Sequence, residues 1–217
     1  MKELFPGIFL VDDKLVVGNS IPGFRPFDED LIKLRNREYR VWNPRRSKLA
    51  AAIMKGIKQV PITKGSKVLY LGAAHGMTPS FIANIIGEKG IVYAIEFSER
   101  CFNDLIPLCN NYTNIIPILA DSRKPELYYW IEKVDVVYVD VAQPDETEIA
   151  IRNCKEFLKS KGYLMLAVKS RSIDVTKSPN KIYKEEIAKL KDFKIIDWKT
   201  LDPLEKAHAF IVARSKN

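Results

Sequence analysis

Short apolar runs recur along the chain from residue 67 onward, and segments with helix signals separate them. The runs are nearly continuous in Val, Ile, Leu and Tyr, which is typical of strands buried on both faces of a parallel sheet. They cover residues 68–71, 91–95, 115–119, 134–139 and 163–168. The pattern predicts five parallel strands that alternate with helices.

The gaps between these runs carry capping signals. A Ser or Thr before a proline is a typical helix start, and acidic residues are favoured in a first helical turn. The predicted starts are Thr78-Pro79, Ser98-Glu99, Gln143-Pro144-Asp145-Glu146 and Ser178-Pro179.

The end of the chain departs from this alternation. Two apolar runs, at 193–198 and 207–213, are separated by a segment too short for a crossover helix, so they are predicted to pair antiparallel. An α/β fold with five parallel strands and a closing antiparallel hairpin is the layout of the seven-stranded, Rossmann-like sheet of class I methyltransferases. A symmetrical dinucleotide-binding fold lacks that hairpin.

The first 45 residues follow a different pattern. Apolar runs at 8–11 and 15–17 flank Asp12-Asp13 and predict a hairpin, and turns follow at Pro22-Gly23 and Pro26. We therefore predict a small β-rich region at 1–45 and a methyltransferase domain at 46–217.

Composition excludes several classes of protein. The 217 residues are 47% hydrophobic and 29% charged, enough to bury a core. No apolar run approaches the ~18 residues of a membrane span, and the N-terminus does not resemble a secretory signal. Three cysteines without a CxxC pair argue against a disulfide scaffold or a zinc cluster. We expect a cytoplasmic protein.

The net charge of +8 is distributed unevenly. Residues 33–67 carry eleven Lys or Arg and one acid, and residues 152–194 carry twelve against five, whereas residues 88–148 carry twelve acids and five bases. Basic stretches favour a polyanionic partner such as nucleic acid, although scattered surface lysines are an equally simple interpretation.

A candidate cofactor site follows from the strand ends. Small residues from Gly72 to Gly76 follow the first strand, with Ala74 where a dinucleotide-binding motif has its second glycine. Glu96 ends the second strand, 24 residues after Gly72, where a carboxylate can accept hydrogen bonds from ribose hydroxyls. Asp121 and Asp140 follow the third and fourth strands.

Three acids at one sheet edge discriminate between ligands. They would repel a pyrophosphate, but they suit the positive sulfonium of S-adenosylmethionine. The alternative is that these acids only cap the following helices.

Several segments, in order along most of the chain, resemble fibrillarin, the box C/D guide-RNA-dependent 2′-O-methyltransferase. They read EYRVWNP at 38–44, RSKLAAAI at 46–53, VLYLGAAHG at 68–76, VYAIEFS at 92–98, DVAQP at 140–144 and VKSRSID at 168–174. The resemblance implies a catalytic tetrad of Lys48, Asp140, Lys169 and His208. It also implies S-adenosylmethionine contacts at Met77, Thr78, Glu96, Phe97, Asp121, Ser122, Asp140, Val141, Ala142 and Gln143, beside Gly72 and Ala74 of the glycine loop.

The chain departs from the family pattern at two positions. His75 and Met77 stand where the family usually has Ser and Thr, so a hydroxyl contact to the methionine moiety is lost there. The resemblance further implies transfer to rRNA and tRNA, a guide RNA that pairs with the target, a Nop-domain scaffold protein and a kink-turn-binding ribosomal-type protein.

The chemistry requires such residues in any case. A ribose 2′-hydroxyl is a poor nucleophile, so a base or a strong orienting acceptor must lie within hydrogen-bond reach. We predict that Lys169 deprotonates or polarises this hydroxyl, that Asp140 and Lys48 orient Lys169, and that His208 assists proton movement or holds the ribose. From position alone, Lys48 could be a solvated lysine of a first helical turn and His208 a structural histidine.

The first basic stretch interleaves arginines with aromatic residues, a mixture suited to phosphate contacts and stacking. Packing of Trp42 in the core is the alternative. The residues are Arg35, Arg37, Tyr39, Arg40, Trp42, Arg45 and Arg46.

Two rival functions stay open at this point, a nucleotide-dependent oxidoreductase and a non-catalytic RNA-binding subunit with the same fold.

Overall fold

Twelve strands form two separate sheets in this computed structural model, which describes residues 1–217. The first sheet is antiparallel, in the order β1-β2-β3-β5-β4. Its strands are β1 (Lys2–Phe5), β2 (Ile8–Val11), β3 (Lys14–Gly18), β4 (Leu31–Leu34) and β5 (Arg37–Val41). Asp12 and Asp13 connect β2 to β3 with φ angles of 45° and 61°, as a two-residue hairpin turn requires.

The second sheet has seven strands in the order β11-β12-β10-β9-β6-β7-β8. They are β6 (Lys67–Leu71), β7 (Ile91–Glu96), β8 (Ile115–Leu119), β9 (Val134–Val139), β10 (Leu158–Lys169), β11 (Phe193–Thr200) and β12 (His208–Ser215). Strands β6 to β10 are parallel, and β12 is antiparallel to both β10 and β11. This topology confirms the fold predicted from the apolar runs.

Helices cover both faces of the second sheet, because its strands bury side chains on both sides. Tyr70 of β6 faces the cluster that includes Phe81, whereas its neighbours Leu69 and Leu71 face the opposite cluster. The helices are α1 (Lys48–Met54), α2 (Met77–Ile86) and α3 (Glu99–Cys109) on the first face, and α4 (Glu146–Phe157) and α6 (Pro179–Lys189) on the second, with the short α5 (Ser170–Ile173) directly after β10. None of the helices combines the length and apolar character needed to cross a bilayer.

One predicted helix start is wrong by two residues. Helix α2 begins at Met77 with Gly76 as its N-cap, not at Pro79 with Thr78 as the cap. Gly76 has a φ of 84°, which glycine adopts without strain, and the Thr78 hydroxyl instead lies 3.0 Å from the Ser47 hydroxyl.

The first sheet is attached to α2 by a buried arginine. Arg40 of β5 is fully buried, forms an ion pair with Glu29, and donates hydrogen bonds to the Tyr112 hydroxyl (2.9 Å) and the Ser80 hydroxyl (3.1 Å). Its guanidinium lies 4.1 Å from the ring centroid of Phe81.

These contacts correct part of the predicted nucleic-acid surface. Arg40 cannot contact phosphates because it is fully buried, and Tyr39 is buried too. Trp42 stacks on Phe81 with ring centroids 4.9 Å apart, so the packing alternative holds for this residue. The exposed arginines of the stretch are Arg35, Arg37, Arg45 and Arg46.

Candidate active site

A cleft of about 270 Å³ opens at the carboxyl ends of the parallel strands, where the chain order reverses between β6 and β9. This is the position at which open α/β sheets bind ligands. Ten of the twelve predicted cofactor contacts line it: Gly72, Ala74, Glu96, Phe97, Asp121, Ser122, Asp140, Val141, Ala142 and Gln143. Ile95, Ala120, Arg123 and Lys169 complete the lining.

The loop after β6 approaches the backbone that follows β9. Gly72 has a φ of 81°, and a Cβ at this position would lie 2.9 Å from the carbonyl oxygen of Asp140. Ala74 also has a positive φ, of 48°, and its N–H donates a 2.7 Å hydrogen bond to Glu96 Oε2. A left-handed alanine costs about 1 to 2 kcal/mol, so the hydrogen bond to Glu96 helps to hold a strained loop against the cleft.

Glu96 and Asp121 present carboxylates at the ends of β7 and β8. Both oxygens of Glu96 accept backbone N–H groups, from Ala74 and from Ser98 at 2.8 Å. Asp121 accepts three hydrogen bonds from the Arg123 guanidinium, which, as the largest cause, lowers the pKa of Asp121. The edge therefore carries less net negative charge than three free acids would.

Phe97 follows Glu96 and is the most exposed aromatic side chain of the cleft, at 66%. A large apolar ring in this position has no partner within the core, and it offers a flat face to a ligand.

Met77 and Thr78, the two remaining predicted contacts, lie in the first turn of α2 and do not line the cleft. Thr78 is buried, and its hydroxyl meets that of Ser47, the N-cap of α1. This contact fixes the start of α1, and hence Lys48, against the first turn of α2.

Asp140 binds two lysines, one from the end of β10 and one from the start of α1. Its Oδ1 lies 2.9 Å from Lys169 Nζ and 3.1 Å from Lys48 Nζ, and Lys169 Nζ also donates to the Asp140 carbonyl at 2.6 Å. Burial alone would raise the pKa of Asp140, but the two ammonium groups outweigh it and leave this pKa below its usual value. The three side chains are 12–18% exposed, so their charges interact strongly.

His208 lies beside this group. It pairs with Lys169 in the ladder between β10 and β12, and its Nδ1 lies 2.7 Å from the carbonyl oxygen of Lys206. Since a carbonyl only accepts, Nδ1 carries the proton and Nε2 has a free lone pair when the ring is neutral. Burial, assisted by the charges of Lys48 and Lys169, lowers the pKa of His208 below its usual value, so the imidazole is neutral at pH 7.

The structure thus brings the four predicted catalytic residues together: Asp140 and Lys169 line the cleft, and Lys48 and His208 lie beside them. Two further residues of this region were missed by the sequence reasoning. Arg123 lies only two residues after Asp121, a spacing that signals a local acid–base pair, whereas the burial of Glu146 behind Lys169 gives no local signal beyond an acid at a helix start.

Comparison with known proteins gives consistent matches over the whole chain. The family model for fibrillarin matches residues 1–217. A Methanocaldococcus jannaschii protein called fibrillarin-like rRNA/tRNA 2′-O-methyltransferase is 50% identical over 98% of this chain and 95% of its own length.

Two solved structures are similar in fold and sequence. Aeropyrum pernix fibrillarin with natively bound S-adenosyl-L-methionine has a TM-score of 0.87 and 42% identity, over 95% of this chain and 92% of that one. Fibrillarin in a complex with Nop5p has a TM-score of 0.91 and 41% identity, over 99% of this chain and all of that one.

Proposed function

This chain belongs to the fibrillarin family, and on that basis we propose that it transfers the methyl group of S-adenosylmethionine to ribose 2′-hydroxyl groups of rRNA and tRNA. The observation that carries the proposal is the cluster of Lys48, Asp140, Lys169 and His208 at the mouth of the ligand cleft.

The cleft residues fit S-adenosylmethionine. The close approach of Gly72 to Asp140 keeps the loop after β6 packed against the end of β9. Each oxygen of Glu96 keeps a lone pair that can accept a hydrogen bond from a ribose hydroxyl. Phe97 offers an apolar face to a base. The carboxylate of Asp140 is already paired with Lys48 and Lys169, so it adds no free negative charge for the sulfonium. When bound, S-adenosylmethionine supplies an electrophilic methyl group.

We propose the following roles for the cluster residues. Asp140 holds Lys169 Nζ at the cleft through both its carboxylate and its carbonyl oxygen. Lys169 hydrogen-bonds to the incoming 2′-oxygen and orients it for in-line attack. The proton of the hydroxyl leaves to a nearby base, either Lys169 in its neutral form or the free Nε2 of His208. Lys48 contacts the same carboxylate oxygen as Lys169 and keeps the carboxylate from rotating.

The partners form the second part of the proposal. Arg45 and Arg46 are exposed directly before Ser47 and Lys48, and Arg171 is exposed two residues after Lys169, so exposed arginines lie close along the chain to both lysines of the cluster. This arrangement suits an RNA backbone. We propose that a Nop5-type protein docks this chain, and that a box C/D guide RNA with a kink-turn-binding protein selects the target. The cytoplasmic setting stays a prediction.

The test measures transfer of radiolabelled methyl to a matched target RNA by the complete guide complex, with the product mapped by resistance to alkaline cleavage. Lys169→Ala should abolish transfer and leave the affinity for S-adenosylmethionine within about threefold. Lys155→Ala, an exposed lysine near the other end of α4, is the matched control and should transfer normally. Absence of labelled RNA with the wild-type complex would favour a non-catalytic subunit.

A further inference from the structure

Glu146 is a buried carboxyl group directly behind Lys169. It is the first residue of α4 and is fully buried, and its Oε1 accepts the backbone N–H of Lys169 at 2.8 Å. The ladder between β9 and β10 ends at the pair Val139 and Leu166, so Lys169 has no strand partner on that side. The Glu146 side chain takes the place of the missing strand.

The second oxygen of Glu146 has no hydrogen-bond partner. Glu146 Oε2 is buried. Glu186 Oε2, on α6, is also buried and also has no hydrogen-bond partner. An ionised carboxylate with an unpartnered buried oxygen is unfavourable, whereas a protonated one is tolerated. Oε1 can accept the Lys169 N–H in either state.

The charges that face Glu146 come from three elements. Asp140 approaches from the end of β9, and Lys169 approaches from β10. Helix α6 contributes Glu186, its ion-pair partner Lys189 at 2.9 Å, and the phenol of Tyr183. Burial raises the pKa of Glu146 to about 8, with Glu186 and Asp140 acting in the same direction and the N–H and ammonium of Lys169 opposing them. At pH 7 the group is therefore mostly neutral.

We infer that Glu146 is a positioning residue: its neutral carboxyl group fixes the end of β10 so that Lys169 reaches Asp140 at the cleft. The inference rests on the proposed methyl transfer. It has a second consequence, because ionisation of Glu146 would place a negative charge behind Lys169. That charge attracts the ammonium group of Lys169 away from Asp140 and from the incoming 2′-oxygen.

The experiment compares Glu146→Gln and Glu146→Ala with wild type in the complete guide complex. Glutamine keeps an acceptor for the Lys169 N–H and is always neutral, so Glu146→Gln should retain kcat within about twofold at pH 7. Glu146→Ala should lower kcat about tenfold or more, with the KM for S-adenosylmethionine changed less than twofold. Glu156→Ala, which removes an exposed acid near the other end of α4, is the matched control.

The pH profile from 6.5 to 9.5 separates positioning from mere structural support. The ratio of the Glu146→Gln rate to the wild-type rate should rise severalfold between pH 7 and 9.5. A constant ratio, or full activity of a folded Glu146→Ala variant, would overturn the inference. If Glu146→Ala does not fold, the ratio alone decides. Failure of the wild-type complex to transfer methyl groups would instead count against the proposed function.

Discussion

Replacement of Gly72 by alanine tests how tightly the cleft is built. The alanine must adopt a φ of 81°, and its Cβ would lie 2.9 Å from the carbonyl oxygen of Asp140 and 3.1 Å from the backbone nitrogen of Val141. These contacts are with the backbone directly after β9, which a hydrogen bond from Asp140 N to the Leu71 carbonyl holds at 2.9 Å, so it cannot turn away as a side chain could.

The chain contains a matched control for the conformational part of this cost. Gly65 has nearly the same φ, 80°, but a Cβ there would meet nothing within 4 Å. Gly65→Ala should therefore lose about 1 to 2 kcal/mol for the left-handed alanine alone. Gly72→Ala should lose that amount plus about 1 to 3 kcal/mol for forced separation of packed backbone.

Urea unfolding at constant pH measures both losses, and calorimetry measures binding of S-adenosylmethionine. Because Gly72→Ala moves the loop away from Asp140 and Val141, we expect at least a tenfold weaker affinity, against no more than a twofold change for Gly65→Ala. Equal losses of stability in the two variants, with cofactor affinity intact in both, would refute the reasoning from close approach.

Three further predictions follow from buried and exposed groups of the same molecule. Glu146 is neutral in the folded state up to about pH 8 but ionises at its usual, lower pKa when unfolded, so folded wild type loses stability as pH rises between these values. Urea unfolding should show Glu146→Gln gaining on wild type by about 1.4 kcal/mol per pH unit at most between pH 5.5 and 7.5; a pH-independent difference would contradict this. Arg40→Met should lower the free energy of unfolding by about 3 to 5 kcal/mol in the same assay, because Glu29 stays nearly buried without its partner. A loss below about 1 kcal/mol would show that water readily solvates Glu29 again. Phe97→Ala should change the free energy of unfolding by no more than about 0.5 kcal/mol, since the ring is exposed. It should weaken binding of S-adenosylmethionine by about 1 to 3 kcal/mol in calorimetry, and unchanged binding would remove Phe97 from the adenine side of the cleft.

The strand pattern was predictable because burial on both faces leaves a strong local signal. The same logic predicted that Asp140 and Lys169, at the ends of adjacent parallel strands, would meet, and their charged atoms lie 2.9 Å apart. Strand ends at one edge are fixed by topology, so no side-chain detail was needed. His208 and Lys48 required the family resemblance, since nothing in their own neighbourhood distinguishes a site residue from a structural one.

The errors have a common origin in contacts that are distant along the chain. The basic, aromatic-rich stretch predicts a nucleic-acid surface that includes Arg40, but the burial of Arg40 depends on Glu29, Ser80 and Tyr112. Glu146 was overlooked because its importance arises from a hydrogen bond to a residue 23 positions away. Local propensity cannot report such pairings.

The guanidinium of Arg40 joins three parts of the fold that are distant along the chain: the first sheet, α2 and the segment after α3. A chain shortened to residues 46–217 would expose the ring of Phe81 and leave the hydroxyl groups of Tyr112 and Ser80 without their arginine donor. We expect the two sheets to melt in one cooperative transition, and grafting of a foreign N-terminal sheet to succeed only if it brings its own arginine and acid.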